Sequence, residues 1–238
     1  MSQYYIDEFR LNVSRGLVKG AKHVHKFGAV PAMSQSTTGT VWDKNDTVYP
    51  WSAFNGSKTV VVTANTADDG KSITIVGLDS SYNEQEETVT IATGTATTTK
   101  QFIRVFRAYS SANNANTISM AVSGTEVARI TTGKAQTLMA VYTIPAGKTG
   151  YLYKGACSAQ ASADGTGDMF VRYFGQTSFR VGHSFEVSGA GGPYVYDFAC
   201  PIAIPEKSDI DVRITTRSNN GRYTASFDLI LVDTPIRG

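Results

Sequence analysis

From residue 40 onward the chain alternates apolar and polar residues almost without a break, and that period of two constrains the fold more than any other feature. Residues 58–64 read KTVVVTA, 72–79 SITIVGLD, 87–92 ETVTIA and 116–124 NTISMAVSG. Residues 102–109, FIRVFRAY, set Arg104 and Arg107 against apolar neighbours. Similar runs follow at 137–144, 150–160, 168–175, 179–187, 194–204, 209–218 and 223–233. Side chains two apart share a face of a strand, so short β-branched and aromatic runs at regular spacing predict sandwiches or barrels. No stretch after residue 30 keeps the i, i+3, i+4, i+7 stripe of an amphipathic helix.

Turn chemistry supports this. Asn55-Gly56, Asp69-Gly70, Asp164-Gly165 and Asn220-Gly221 fall between the runs, where a tight reversal favours Asn, Asp and Gly. DVRITTRS, Asn-Asn-Gly and RYTASFDLILVD together predict a hairpin over 209–233. Pro145 and Pro205 each follow Ile and lead through a polar turn into a strand, as corners of one sandwich would. The polar stretch 131–136 marks a boundary. The expected organisation is all-β with little helix: an extended basic N-terminal arm over 1–30, then antiparallel, jelly-roll-like β-sandwich units over 31–133 and 134–238, with one continuous sandwich as the alternative.

The arm differs from the rest. Arg10, Arg15, Lys19, Lys22, His23, His25 and Lys26 stand there against only Asp7 and Glu8. It is too short and too broken by glycine to fold alone, and it is expected to lie on its own β units or on a neighbouring subunit, with the neighbour favoured. Arg10, Arg15, Lys19, Lys22 and Lys26 are the expected interface cations. Glu84, Glu86 and Glu87 form the densest acidic group. They read as a solvated edge strand whose charges discourage strand-to-strand association, or as the surface that receives an arm from another copy.

Composition narrows the function. In 238 residues, 22 Lys and Arg oppose 20 Asp and Glu, a net charge of +2. Binding nucleic acid over the whole surface needs a larger positive excess. The chain is long enough to bury a core unaided. The first residues lack the apolar stretch of a signal peptide, and no window approaches the roughly 20 apolar residues of a membrane span. Cys157 and Cys200 read as two buried thiols acting as small hydrophobes.

Motifs that suggest chemistry do not assemble. Ala146-Gly147-Lys148-Thr149 resembles the end of a phosphate loop, but Tyr142 stands where the first Gly belongs and a strand follows, so it reads as a β-turn. His23 and His25 share a strand face but find no third ligand nearby in sequence. There is no G-x-S-x-G elbow, and residues 164–168 lack the distal Glu of a calcium loop. Trp42, Tyr49, Trp51, Phe54, Tyr194 and Tyr196 read as core or interface, with a sugar-stacking platform at Trp42, Trp51 or Tyr194 as the alternative.

Several segments together resemble virion structural proteins of tailed bacteriophages, especially those of aquatic bacteria. They are residues 16–28 (GLVKGAKHVHKFG), Val41-Trp42-Asp43, 77–91 (GLDSSYNEQEETVTI), 102–109 and 136–152 (QTLMAVYTIPAGKTGYL). The resemblance implies a location, the phage particle. The combined expectation is a non-enzymatic, homo-oligomeric structural protein, with no cofactor or metal, that decorates or cements the capsid through its arm. Its partners would be other copies of itself and the major capsid protein or neck and tail proteins, with no direct nucleic acid and no membrane. The alternatives are a neck, collar or tail component, a carbohydrate- or receptor-binding β module and, more remotely, a hydrolase using Glu84, Glu86, Glu87 or Asp164.

Overall fold

The computed structural model describes residues 9–234. One short helix, α1 (Phe9–Ser14), precedes sixteen strands. They are β1 (Ala21–Met33), β2 (Thr38–Thr40), β3 (Val61–Thr63), β4 (Ser72–Leu78), β5 (Glu84–Thr90), β6 (Thr95–Thr97), β7 (Arg104–Ser110) and β8 (Ile118–Val122). The rest are β9 (Thr125–Ile130), β10 (Val141–Thr143), β11 (Lys148–Ala159), β12 (Asp164–Arg172), β13 (Arg180–Ser188), β14 (Tyr194–Ile204), β15 (Asp209–Thr216) and β16 (Gly221–Asp233). The protein is all-β, and every ladder is antiparallel.

Four sheets form two units. One sheet runs β1-β16-β11-β14 and a second runs β10-β15-β12-β13. With β3–β9 set aside, and short β2 with them, these eight strands take the order 1-8-3-6 in one sheet and 2-7-4-5 in the other. That is the double Greek key of a jelly roll. β2 and β10 lie end to end along one edge of β15, β2 opposite Arg213–Thr215 and β10 opposite Asp209–Asp211. The remaining strands make the second unit, in sheets β6-β3-β8-β9 and β5-β4-β7. It is inserted in the chain between β2 and β10.

This arrangement corrects three expectations. Residues 21–33 are not an arm. Residue by residue from Ala21 to Val30, β1 pairs with β16 of its own chain, because its alternating pattern buries Lys26, Gly28, Val30 and Met33. Residues 1–8 of the expected arm lie outside the described residues. The unit boundaries also move: β1 and β2, placed by sequence in the arm and in the 31–133 unit, belong to the same jelly roll as β10–β16. Finally, 209–233 is not a hairpin. The Asn219-Asn220-Gly221 turn reverses the chain, but β15 joins one sheet and β16 the other. A turn motif dictates a reversal, not which edges then pair. By contrast, Pro145 and Pro205 stand at corners where the chain changes sheet, and the two corners are tied by Ile144 N to Ser208 O (2.9 Å) and Lys207 N to Ile144 O (2.7 Å).

The main core is an apolar cluster running through both units, with a small separate one at Val13, Tyr153 and Ile230. Between β2 and β3 the chain drives an aromatic wedge into it. Trp42, Tyr49, Trp51 and Phe54 are all buried, with Tyr49 edge-on to Trp42 (5.4 Å) and to Trp51 (4.8 Å). The Tyr49 hydroxyl donates to the Val105 carbonyl at 2.7 Å. Where β1 crosses beneath this connection, Gly28 is required: a Cβ there would lie 2.0 Å from the Val41 carbonyl oxygen and 2.5 Å from the Ala140 nitrogen. Cys157 is buried as expected, whereas Cys200 is exposed. The reason is a bulge, since four residues of β14, 198–201, stand opposite Tyr153 alone on β11.

Candidate functional site: a cationic cleft between the two units

β15 reads DIDVRITT. Ile210, Val212 and Ile214 face the jelly-roll core, which leaves Asp209, Asp211 and Arg213 on the opposite face. In a free sandwich that face would be wet. Here Trp51 and the inserted unit cover it, and Asp209 and Asp211 are 2% and 0% exposed.

Charges so deeply buried must be paired. Asp209 accepts Arg104 Nε (2.8 Å) and Nη2 (3.0 Å) from β7, Arg172 Nε (3.0 Å) and Nη2 (2.6 Å) from β12, and Thr143 Oγ1 (2.7 Å) from β10. Asp211 accepts Trp51 Nε1 (2.9 Å), Arg213 Nε (2.8 Å) and Thr40 Oγ1 (2.7 Å). Burial alone would lower the Arg104 pKa, yet its hydrogen bonds and charge pairing with Asp209 hold it above the ordinary value. The guanidiniums are also stacked: Arg104 and Arg172 lie 5.5 and 5.6 Å from the Trp51 ring centre, and Arg172 lies 4.7 Å from that of Phe179.

Above this network opens a cleft of about 440 Å³, lined among others by Trp51, Tyr82, Arg104, Arg172, Phe174 and Lys207. Tyr82 comes from the inserted unit, and Phe174 from the β12–β13 turn. The two rings meet edge-on at 5.6 Å. Lys207 Nζ sits 5.0 Å from the Phe174 ring centre and 5.9 Å from that of Tyr82. Among the described residues it has no acidic partner. The charged lining is thus three cations against Asp209 alone. Such a cleft can bind an anion and present aromatic surface beside it.

The residues expected to form an interface are distributed elsewhere, and several are corrected. Lys22 pairs with Glu84 of its own chain at 2.8 Å. Lys26 is buried and donates to the Phe106 carbonyl. Lys26 is therefore not a cation facing a partner, whereas Lys22 stays exposed beside Glu84 on the surface. Arg10 lies 4.4 Å over the Tyr153 ring. Arg15 and Lys19 are exposed and form no ion pair among the described residues. Glu84, Glu86 and Glu87 lie on β5, an edge strand. Glu86 is exposed, whereas Glu87 accepts Thr99 N (2.9 Å) and Lys100 N (2.7 Å). Those bonds outweigh the effect of burial and lower the Glu87 pKa. His23 Nε2 and His25 Nδ1 both contact Asp228 Oδ1, at 3.0 and 2.7 Å.

The cleft residues Arg172, Lys207, Asp209 and Phe174 were not singled out from sequence. The available signal was the Asp-x-Asp-x-Arg alternation of 209–213, which reads as an ordinary solvent face until another unit covers it.

No family model matches the chain, and no curated protein matches it. Among solved structures it has distant likenesses. Cowpea mosaic virus top component is 9% identical, covering 76% of this chain and 83% of that one, at a TM-score of 0.24. The infectious bursal disease virus Gx strain structure is 10% identical, covering 92% and 77%, at 0.22. A β-porphyranase of glycoside hydrolase family 86 from Bacteroides plebeius is 11% identical, covering 91% and 35%, at 0.19. Likenesses of this size carry no functional argument, and the jelly roll is established by the strand order itself.

Proposed function

We propose that this chain is a non-enzymatic, homo-oligomeric structural protein of a tailed-phage virion, and that it decorates the capsid through the segment ahead of β1. The supporting observation is the surface of that segment. Val13 docks on its own jelly roll, in a small cluster with Tyr153 and Ile230. Around it Phe9, Leu11 and Leu17 are 49%, 53% and 64% exposed, and Arg15 and Lys19 are exposed without an ion-pair partner among the described residues. Exposed large apolar side chains grouped on a short segment mark an interaction surface, and interspersed cations suit an acidic partner. Jelly rolls serve viral shells, lectins and enzymes alike, so the fold is compatible with this role without selecting it. The segments resembling phage virion proteins are what favours the phage particle in this reading.

The deciding measurement is the copy number of this chain per purified particle, by quantitative mass spectrometry against the major capsid protein. A simple fraction of the capsid-protein count supports decoration. A few to a few dozen copies would transfer the protein to the neck, collar or tail. Absence from particles would overturn the structural role.

A further inference from the structure

We propose that the cleft over Asp209 is a binding site for an acidic saccharide, a sugar carrying a carboxylate or sulfate. Asp209 fixes Arg104 and Arg172 by two hydrogen bonds each. The guanidiniums are therefore pre-organised before any ligand arrives, which lowers the entropic cost of binding. Arg172 uses only Nε and Nη2 in this way, so Nη1 remains for an incoming oxyanion. Lys207, held over Phe174 and Tyr82 and without a carboxylate partner among the described residues, supplies the second unspent charge. Planar oxyanions match a guanidinium fork, and an ammonium adds a point charge beside it.

The rest of the lining suits a sugar ring better than an acidic peptide. Phe174, 59% exposed, offers a flat apolar face to the C–H side of a pyranose. The side chains of Ser52, Asn55 and Gln176 border the same cleft and can donate to or accept from hydroxyls in either sense. The volume of about 440 Å³ lies in the roughly 300–1,000 Å³ range of small-molecule sites. An acidic peptide would use the same cations, and it is the competing occupant that the test has to separate from a sugar. The inference is independent of any place in a virion, since it rests on the junction of the two units alone.

The test is calorimetric titration of the full chain with four probes: a uronic-acid trisaccharide, a sulfated disaccharide, a neutral trisaccharide and an acidic hexapeptide. Lys207→Gln and Phe174→Ala serve as variants, because neither side chain belongs to the buried network and both should leave the melting temperature unchanged. Binding of one acidic sugar, at least tenfold weaker in each variant, weaker at high salt and absent for the neutral sugar, supports the site and identifies its anion. Equal binding of the neutral sugar, binding indifferent to both variants, binding of the peptide alone, or no binding of any probe overturns it.

Discussion

Arg104 of the inserted unit reaches Asp209 of the jelly roll with two parallel hydrogen bonds, 2.8 and 3.0 Å long, and both side chains are almost wholly removed from water. One carboxylate thereby joins strands β7, β10, β12 and β15. Asp209→Ala leaves two guanidiniums without their shared anion in a low-dielectric setting. Removing one partner of a buried pair costs about 3–5 kcal/mol. Urea denaturation should show that loss, and a double-mutant cycle with Arg104→Met should reveal strong coupling. A loss below about 1 kcal/mol would mean that water reaches the junction.

Burial, reinforced by the charge of Arg107, brings Lys26 down to about 7. The unfolded chain holds that proton up to lysine's ordinary pKa of 10.5. Between these values the unfolded state binds more protons than the native state, so stability rises with pH. The contribution is at most about 1.4 kcal/mol per pH unit. Denaturation between pH 7 and 9 should show the rise, and Lys26→Met should abolish it while leaving the protein at least as stable at pH 7. A flat wild-type profile would show that the ammonium stays charged against the Phe106 carbonyl.

On the proposed capsid role, removing residues 1–18 should leave both β units folded, at the cost of the small Val13 cluster, and abolish attachment to the particle. Removing 1–28 deletes more than half of β1 and exposes an edge of β16, so that chain should aggregate. Circular dichroism and particle co-sedimentation distinguish the two. Normal attachment of the shorter truncation would discard the docking role of Phe9, Leu11 and Leu17.

Thiol chemistry should separate the cysteines. Cys157 is buried, which pushes its thiol up to about 12, whereas Cys200 lies exposed on the β14 bulge. A disulfide reagent at pH 8 should titrate one thiol in the native protein and two after denaturation. Two fast native thiols would mean that the sheet edge near Cys157 opens.

The alternation of apolar and polar residues made the strands legible, and Ile-Pro corners at 145 and 205 announced where the chain changes sheet. Pairing was harder to read. β1 carries Lys22, His23, His25 and Lys26, which look like a solvated arm, yet Lys26 points inward against Phe106 and His23 and His25 meet Asp228. Alternation specifies two faces of a strand but not what covers each one. Asp209 and Asp211 illustrate the same limit: the charged outward face of a strand inside its sheet is buried only because a separate stretch of chain folds over it. The aromatic wedge from Trp42 to Phe54 was expected in core or interface, and it lies in the core beside the cleft.

The pairing of β1 with β16 also affects how the protein is made. β1 is complete once Met33 has been joined, but its partner runs to Asp233. At roughly 5–20 residues per second, about 10–40 s of synthesis separate the two. For that interval the inserted unit can gather its own sheets, while the jelly roll waits with one sheet lacking its second strand. The seat for Val13 includes Ile230, so the segment ahead of β1 takes its final position only once β16 has been translated. Chains that stop short of β16 would lack that seat, and Val13 would have no apolar surface to cover it.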